Sequence, residues 1–397
     1  MGIRRASVVA ALALALVSCS DRTTTPPPPV ATSQIPPAPK GNERGAIVAQ
    51  QSADSMYPAI AAIGARAFTV TYRSTSGVDG GNADVTGAVF APSGPPPDGG
   101  WPVVTVGHPT TGVADDCAPS RSADLLGNAN LVIRLLQRGF VVALTDFQGL
   151  GTPGPHPYLE PNSAAFDLID AVRAARAVIP ETSTRWAAIG ISQGGQASWA
   201  AAEHAGDYGD GLQFVGSANL SPAADVSGFA TGSAVNLSLP QELFLPLVIA
   251  GMQVLHPELD PSAYMRGLLA DNSAALTSCS QEANLQKRSI ATQIGKDDAQ
   301  PHSPADTDRM RGWLQALALP KNRAAGPMLV VVGETDNVIR PEWTEAAVKR
   351  ACAIGDVIAL HVRAGEGHAN PKAIPEAVDW IGDRFTGLPA PSTCESS

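Results

Sequence analysis

The feature that most constrains the fold of this chain is an alternation of short apolar runs with helical patterns. The apolar runs are rich in β-branched side chains and predict strands. Strands separated by helices are typical of an α/β fold with a mostly parallel central sheet flanked by helices. The predicted strands are residues 67–72, 85–90, 103–107, 141–145, 186–191, 214–219, 328–333 and 358–362. The predicted helices are residues 124–138, 164–179, 193–204, 344–353 and 372–385.

Length and composition are those of a globular chain with a large core. The chain has 397 residues, of which 44% are hydrophobic and 16% charged. This length fits one large α/β domain with an insertion, or two domains. The formal net charge of −10 argues against a nucleic-acid partner, because phosphate binding selects basic surfaces.

One interval breaks the alternation of strands and helices. About 100 residues separate the predicted strand ending at Asn219 from the one beginning at Met328, far more than a simple crossover needs. We predict that residues 222–325 form a helical cap or lid, and that residues 46–221 and 326–397 form the core. The alternative is an inserted structural subdomain without a gating role.

The most apolar part of this interval is residues 239–256. Its length and composition predict a helix. Glu242, Pro246 and Gln253 interrupt the apolar run, so it does not predict a transmembrane span.

The N-terminus is typical of an export signal. Two arginines precede an apolar run over residues 6–17 that is too short to span a bilayer, so residues 1–18 predict a signal peptide. The sequence LVSC, ending at Cys19, resembles the lipobox of bacterial lipoproteins and implies a lipid on that thiol. Ordinary secretion is the alternative. The rest of segment 19–45 is rich in Pro, Thr and Ser and predicts an extended tether from the membrane.

The number of cysteines agrees with export. The chain has five, and if Cys19 is lipidated an even number remains. Four cysteines in an oxidising compartment predict two disulfides, with three possible pairings. They are Cys117, Cys279, Cys352 and Cys394. No CxxC spacing is present, so neither a zinc site nor a redox motif is expected.

The sequence GISQG, from Gly190 to Gly194, is the first chemical motif. In a glycine-rich chain the GxSxG pattern is weak evidence by itself. Here it follows a predicted strand and precedes a predicted helix, which is the setting of a nucleophile elbow. Glycines relieve the crowding of such a turn, and the N-terminus of the helix favours developing negative charge. We therefore predict that Ser192 is a nucleophile.

A nucleophilic serine needs a base and a carboxylate that orients the base. Enzymes with a nucleophile elbow carry these in the order Ser, Asp or Glu, His. Asp336 follows the predicted strand 328–333, and His368 follows the strand 358–362. Both lie at carboxyl ends of strands, where open α/β sheets place their sites. Glu334 is the alternative acid.

The other histidines are weaker candidates for the base. His361 lies within a predicted strand and His108 in a different loop. The remaining histidines do not directly follow a predicted strand; they are His156, His204, His256 and His302.

Acyl transfer also needs hydrogen-bond donors for an oxyanion. The N–H of Gln193, the residue after the nucleophile, is the first predicted donor. The second is predicted in the loop HPTTG that follows the strand 103–107, and we assign it to the N–H of Thr110, with Thr111 as the near alternative. Pro109 has no N–H and cannot serve.

Several stretches together resemble the secretory lipase (lipase A-type) family of the α/β-hydrolases. They are TTGVADDCAPS, GFVVALTDFQGLGTPGPHPYL, GISQGGQASWAAAE, GETDNVIRP and GEGH, and the likeness covers about residues 47–394. The resemblance implies the α/β-hydrolase fold with a helical cap between the sixth and seventh core strands. It also implies two disulfides, Cys117–Cys279 and Cys352–Cys394.

The chain departs from the family in three places. Pro109 differs from HG-type oxyanion loops, the N-terminus carries the lipobox and tether, and the sequence stops soon after Cys394. A flap that a longer C-terminal tail forms in relatives is therefore expected to be absent or reduced, which favours esterase activity over triglyceride lipase activity.

Together these features predict a serine carboxylic-ester hydrolase that acts on lipid or small-molecule esters through a covalent acyl-enzyme. No metal or organic cofactor is expected. We also consider an acyltransferase or thioesterase that acts on envelope lipids with the same triad. A third reading is a non-catalytic envelope lipoprotein.

Overall fold

The fold is built on one nine-stranded sheet in a computed structural model that describes residues 43–230 and 237–394. The strands are β1 (Ile47–Ser52), β2 (Arg66–Thr75), β3 (Asn82–Ala91), β4 (Trp101–Gly107), β5 (Val141–Thr145), β6 (Thr182–Ile191), β7 (Gln213–Leu220), β8 (Met328–Gly333) and β9 (Ile358–Arg363). The helices are α1 (Pro58–Ala61), α2 (Ala129–Gln137), α3 (Pro161–Val178), α4 (Gln193–His204), α5 (Leu239–Leu255), α6 (Gly267–Asp271), α7 (Ser273–Thr277), α8 (Gln281–Ala291), α9 (Pro304–Leu317), α10 (Pro341–Ala353) and α11 (Ala373–Phe385).

The sheet has the order β1-β2-β3-β5-β4-β6-β7-β8-β9. Strands β1, β2, β3 and β5 pair antiparallel in that order, whereas β5-β4-β6-β7-β8-β9 is parallel. The predicted mostly parallel α/β sheet is therefore confirmed. The carboxyl ends of the parallel strands lie at one edge, where such sheets place their sites.

Helices cover both faces of the sheet. One buried cluster joins the sheet to α3, α4 and α10 and includes Leu168, Trp199 and Ala347. The opposite cluster joins it to α2 and α11 and includes Leu135 and Ile381. Burying a leucine or isoleucine side chain fully contributes about 1.5–3 kcal/mol, so these two layers supply much of the stability of the core.

The structure corrects the sequence prediction in two places. Strand β1 was not predicted, because it lies at the edge of the sheet with nearly all its side chains exposed. The predicted helix 124–138 begins only at Ala129, since Leu125 and Leu126 have φ angles of +55° and +49°. The other predicted strands and helices are present, with ends that differ by up to four residues.

Helices α5 to α9 lie between β7 and β8, and no strand occurs in the described part of this interval. Helix α5 covers the apolar run predicted as a helix. Residues of this interval form an apolar cluster of their own, including Leu245, Met252 and Met310. The cluster also takes in Tyr158 and Ile339 from two loops of the core. No helix among the described residues has the length and hydropathy needed to cross a bilayer.

Two disulfides are present, paired as the family resemblance implies. Cys117–Cys279 links the loop after β4 to the interval of helices α5 to α9, and Cys352–Cys394 links α10 to the C-terminal segment. A disulfide typically contributes about 2–4 kcal/mol to stability. The predicted signal peptide, Cys19 and all but the last residues of the tether lie outside the described residues and stay predictions.

Glu203, near the end of α4, connects this helix to the segment that returns to β8. Its Oε2 accepts hydrogen bonds from the N–H groups of Lys321 and Asn322, both at 2.9 Å. The side chain is buried, and burial raises the pKa of Glu203 from its ordinary 4.5 to about 7. The folded protein therefore retains a proton that the unfolded chain releases between these pH values.

Replacing Glu203 with glutamine should change how stability depends on pH. The raised pKa means that the contribution of Glu203 to the stability of wild type falls as pH rises from about 4.5 to about 7, whereas the neutral glutamine does not titrate. The free energy of unfolding of Glu203→Gln minus that of wild type should therefore rise across this window and be constant above it. Urea unfolding of both proteins at pH 5, 6, 7 and 8 measures the difference, from which titrating groups that do not interact with Glu203 cancel. A flat difference would contradict the prediction.

Candidate active site

Ser192 lies on a sharp turn between β6 and α4. Its φ of +58° is in the left-handed region, which is strained for a serine. A Cβ on Gly190 would lie 1.8 Å from the carbonyl oxygen of Gly194, and a Cβ on Gly194 would lie 1.9 Å from that of Gly107. Both positions therefore require glycine. The N–H of Ser192 donates to the carbonyl of Leu220 at 2.8 Å, which connects the turn to β7.

The turn places Ser192 at the N-terminus of α4. Gln193 is the first residue of the helix, so its N–H has no acceptor within the helix. The carbonyl of Ser192 accepts the N–H of Gln196 at 3.0 Å, which closes the first turn. A helix N-terminus favours negative charge, so an oxyanion formed here would be stabilised.

The imidazole of His368 connects the side chains of Ser192 and Asp336. Its Nε2 lies 2.9 Å from Ser192 Oγ, and its Nδ1 lies 2.7 Å from Asp336 Oδ2. An ionised carboxylate only accepts hydrogen bonds, so Nδ1 carries the proton and Nε2 can accept the proton of the serine hydroxyl. The structure thus brings together the three side chains that the sequence predicts as a group.

The side chain of Asp336 is held in place by hydrogen bonds from its own loop. Its side chain is fully buried, and Oδ1 accepts the N–H groups of Val338 and Ile339 at 2.9 and 3.0 Å. Oδ2 is left for His368. Glu334, the alternative acid, is exposed and its Oε2 accepts the N–H of Gly365 at 2.8 Å instead. The geometry therefore favours Asp336.

Two residues that the sequence analysis missed support the loop of His368. The N–H and Oγ1 of Thr335 both donate to the carbonyl of Glu366 at 2.9 Å, which connects the acid loop to the base loop. Ser221 Oγ accepts the N–H of Ala369 at 3.0 Å. Ser221 directly follows β7 at the carboxyl edge, and this position was the one signal in the sequence that could have identified it.

The loop after β4 passes directly against the serine turn, because a Cβ on Gly194 would approach the carbonyls of both Gly107 and His108. Thr110 in this loop is partly buried, and its Oγ1 lies 2.8 Å from the hydroxyl of Tyr158. The hydroxyl of Thr111 donates to the carbonyl of Cys117 at 2.8 Å. The use of the Thr110 and Gln193 N–H groups as oxyanion donors stays a prediction.

The other histidines make different contacts. The ring nitrogens of His108 face the carbonyls of Pro109 and Asp146 at 2.7 and 3.1 Å, and His361 contacts Glu376 beside β9. His156, which the sequence analysis set aside, is buried with Nε2 2.9 Å from the side-chain nitrogen of Gln193. It lies in the loop after β5, whose carboxyl end is at the same edge of the sheet.

The fold is shared with solved lipases and esterases. Candida antarctica lipase A in its closed state is 17% identical, with a TM-score of 0.70 over 90% of this chain and 86% of that one. The rice cell wall degrading esterase LipA from Xanthomonas oryzae, in a ligand-bound form, is 22% identical, with a TM-score of 0.68 over 87% of this chain and 98% of that one. At these identities the likeness shows the α/β-hydrolase fold.

Comparison with curated proteins found no match. The family of the chain is shown by a family model, because the model of the secretory lipases matches residues 125–393, more than half of the sequence. The matched region contains the serine turn, the acid loop and the base loop. The chain therefore belongs to the secretory lipase family and is an ester hydrolase with the α/β-hydrolase fold.

Proposed function

We propose that the protein hydrolyses carboxylic esters with Ser192 as nucleophile, His368 as general base and acid, and Asp336 as the group that orients His368. The observation that carries this proposal is the position of the His368 ring, which is within hydrogen-bond distance of both other side chains. A serine that bonds to a base, which in turn bonds to a buried carboxylate, is the arrangement that activates a hydroxyl for acyl transfer.

In the first half of the reaction, Ser192 Oγ attacks the ester carbonyl carbon while His368 Nε2 takes the hydroxyl proton. The carbonyl oxygen becomes an oxyanion, which accepts hydrogen bonds from the N–H groups of Gln193 and Thr110. The intermediate collapses, the bond to the alkoxy oxygen breaks, and His368 gives its proton to the departing alcohol. The acyl group is then bound to Ser192 as an ester.

In the second half, water attacks the acyl carbon and gives a proton to His368 Nε2. The second tetrahedral intermediate collapses, Ser192 recovers the proton, and the carboxylic acid leaves. Asp336 accepts a hydrogen bond from the imidazole throughout and stabilises its charged form.

The apolar cluster of helices α5 to α9 supports esters with an apolar acyl chain as substrates. It includes Ile339, three residues after Asp336, and Tyr158, whose hydroxyl bonds to Thr110. Buried apolar side chains therefore pack beside both the acid loop and the loop of the predicted oxyanion donor. We propose that these helices cover the acyl chain.

A chain-length pair of nitrophenyl alkylphosphonates tests the proposal. Attack by Ser192 should release one nitrophenolate per protein molecule, since the phosphonyl group stays on the serine. Ser192→Ala should release none, and peptide mass mapping should locate the adduct on Ser192. A hexyl phosphonate should react faster than a methyl phosphonate. Absence of labelling in wild type would refute the proposed function. Equal rates of reaction for the two phosphonates would refute the proposal that the substrates carry an apolar acyl chain.

A further inference from the structure

A tight turn formed by residues 156–158, His-Pro-Tyr, contacts both the serine turn and the loop after β4. The N–H of Tyr158 donates to the carbonyl of His156 at 2.8 Å, which closes a three-residue turn around Pro157. The proline ring fixes its own φ angle, so the turn is stiff. The side chains of His156 and Tyr158 are therefore held in a fixed relation to each other.

The first of these side chains contacts Gln193. His156 Nδ1 lies 2.7 Å from the carbonyl oxygen of Gln148, which only accepts, so Nδ1 carries the proton. The bare Nε2 accepts a hydrogen bond from the side-chain amide of Gln193 at 2.9 Å. Burial lowers the pKa of His156 to about 4, so the ring stays neutral in this tautomer at neutral pH.

The second side chain contacts Thr110. The hydroxyl of Tyr158 lies 2.8 Å from Thr110 Oγ1, and the tyrosine is buried. Burial raises the pKa of Tyr158 to about 12, so the hydroxyl remains protonated under ordinary conditions. This hydrogen bond holds the side chain of Thr110 in one orientation.

We infer that the 156–158 turn positions the oxyanion hole. Its two outer side chains bond to Gln193 and Thr110, the two residues whose N–H groups are proposed to donate to the oxyanion. Gln193 follows β6 and Thr110 follows β4, and the turn gives these two separate segments one common partner. His156 and Tyr158 are positioning residues, since they act through Gln193 and Thr110. The inference rests on the proposed function.

The turn also contacts helices α5 and α4. A Cβ on Gly251 of α5 would lie 2.4 Å from the carbonyl oxygen of Tyr158, so the backbone of α5 packs directly against the turn. The side-chain amide of Gln196, in the first turn of α4, donates to the carbonyl of Leu159, the residue that follows the turn, at 3.2 Å. The turn is thus held from two sides, by α4 and by α5.

The Tyr158 half of the inference is tested with Tyr158→Phe, Thr110→Val and the double variant. Losing an oxyanion donor costs about 10²–10³ in kcat, so displacing one should cost less, about tenfold. Each single variant should therefore lower kcat about tenfold with KM for nitrophenyl butyrate unchanged. The double variant should be no slower than the slower single one, since both remove the same hydrogen bond. Thr110→Ser, which keeps the hydroxyl that bonds to Tyr158, should recover most of the kcat that Thr110→Val loses.

Tyr208→Phe is the matched control. The hydroxyl of Tyr208 lies 2.8 Å from Thr75 Oγ1 and donates to Asp170 Oδ2 at 2.7 Å, in a group that belongs to neither the serine turn nor the oxyanion loop. This variant should keep the wild-type kcat even if it is less stable. Unchanged kcat in Tyr158→Phe, or effects of the single variants that multiply in the double one, would overturn the inference.

The contact between His156 and Gln193 is tested with Gln193→Met, which keeps the backbone N–H of residue 193 but removes the side-chain amide that bonds to His156. We expect a kcat about tenfold lower, because the N–H is less well positioned. The affinity for an alkylboronic acid, which forms a tetrahedral adduct with the serine, should weaken by the same factor. An unchanged kcat and affinity would overturn this half. Wild type that neither hydrolyses esters nor reacts with phosphonates would refute the proposed function instead.

Discussion

Ser192→Ala should lower kcat for ester hydrolysis by roughly 10⁶-fold, and His368→Ala should lower it by a similar factor. Without the hydroxyl there is no nucleophile to form the acyl-enzyme, and without the imidazole the hydroxyl keeps its proton. The 2.9 Å contact between these side chains means that each depends on the other. Steady-state hydrolysis of nitrophenyl butyrate by wild type and both variants measures the effect.

The double variant Ser192→Ala/His368→Ala separates a catalytic pair from two independent contributions. If the two side chains act as one unit, the double variant should be no slower than either single variant. His361→Ala is the matched control, because this imidazole contacts Glu376 and should leave kcat unchanged. Single variants that retain more than about a tenth of wild-type kcat would contradict the triad, since loss of a triad member normally costs several orders of magnitude.

The three residues of the proposed triad could be predicted from the sequence because each follows a strand of the parallel part of the sheet. Ser192 follows β6, Asp336 follows β8 and His368 follows β9. Carboxyl ends of parallel strands meet at one edge, so recognising the strands is enough to bring these residues close together. The chemistry then restricts which residue types and which order are useful.

The contacts of His156 and Tyr158 could not be predicted in this way. They lie in a long loop between β5 and α3, and the path of such a loop depends on contacts with distant residues. Their partners are Gln193, 37 residues from His156, and Thr110, 48 residues from Tyr158. A sequence read by local pattern gives no sign of these pairings.

The two errors in the predicted elements have physical causes. Within residues 43–230 and 237–394, strand β1 pairs only with β2, and it exposes its side chains, so it lacks the apolar pattern that marks a strand. Leu125 and Leu126 continue an apolar pattern typical of a helix, but both adopt positive φ angles. Leu125 is fully buried, so tertiary packing overrides the local preference there.

Asp336→Asn should lower kcat by about 10⁴-fold while leaving the fold intact. The asparagine oxygen can still accept the N–H groups of Val338 and Ile339, because Oδ1 accepts both in wild type. Its NH₂ group then faces His368 Nδ1 and donates to it. The imidazole carries its proton on Nε2 instead, and Nε2 can no longer accept the proton of Ser192.

Glu334→Gln is the matched control for this substitution. Glu334 lies in the same loop, and its contact is with the N–H of Gly365, which a glutamine oxygen can also accept. This variant should retain kcat within about twofold, as expected for a surface change away from the reacting atoms. Thermal unfolding of both variants tests whether a loss of kcat reflects lost structure. If Glu334→Gln were the inactive protein and Asp336→Asn the active one, the acid of the triad would be Glu334, and the hydrogen bond between Asp336 and His368 would have no catalytic role.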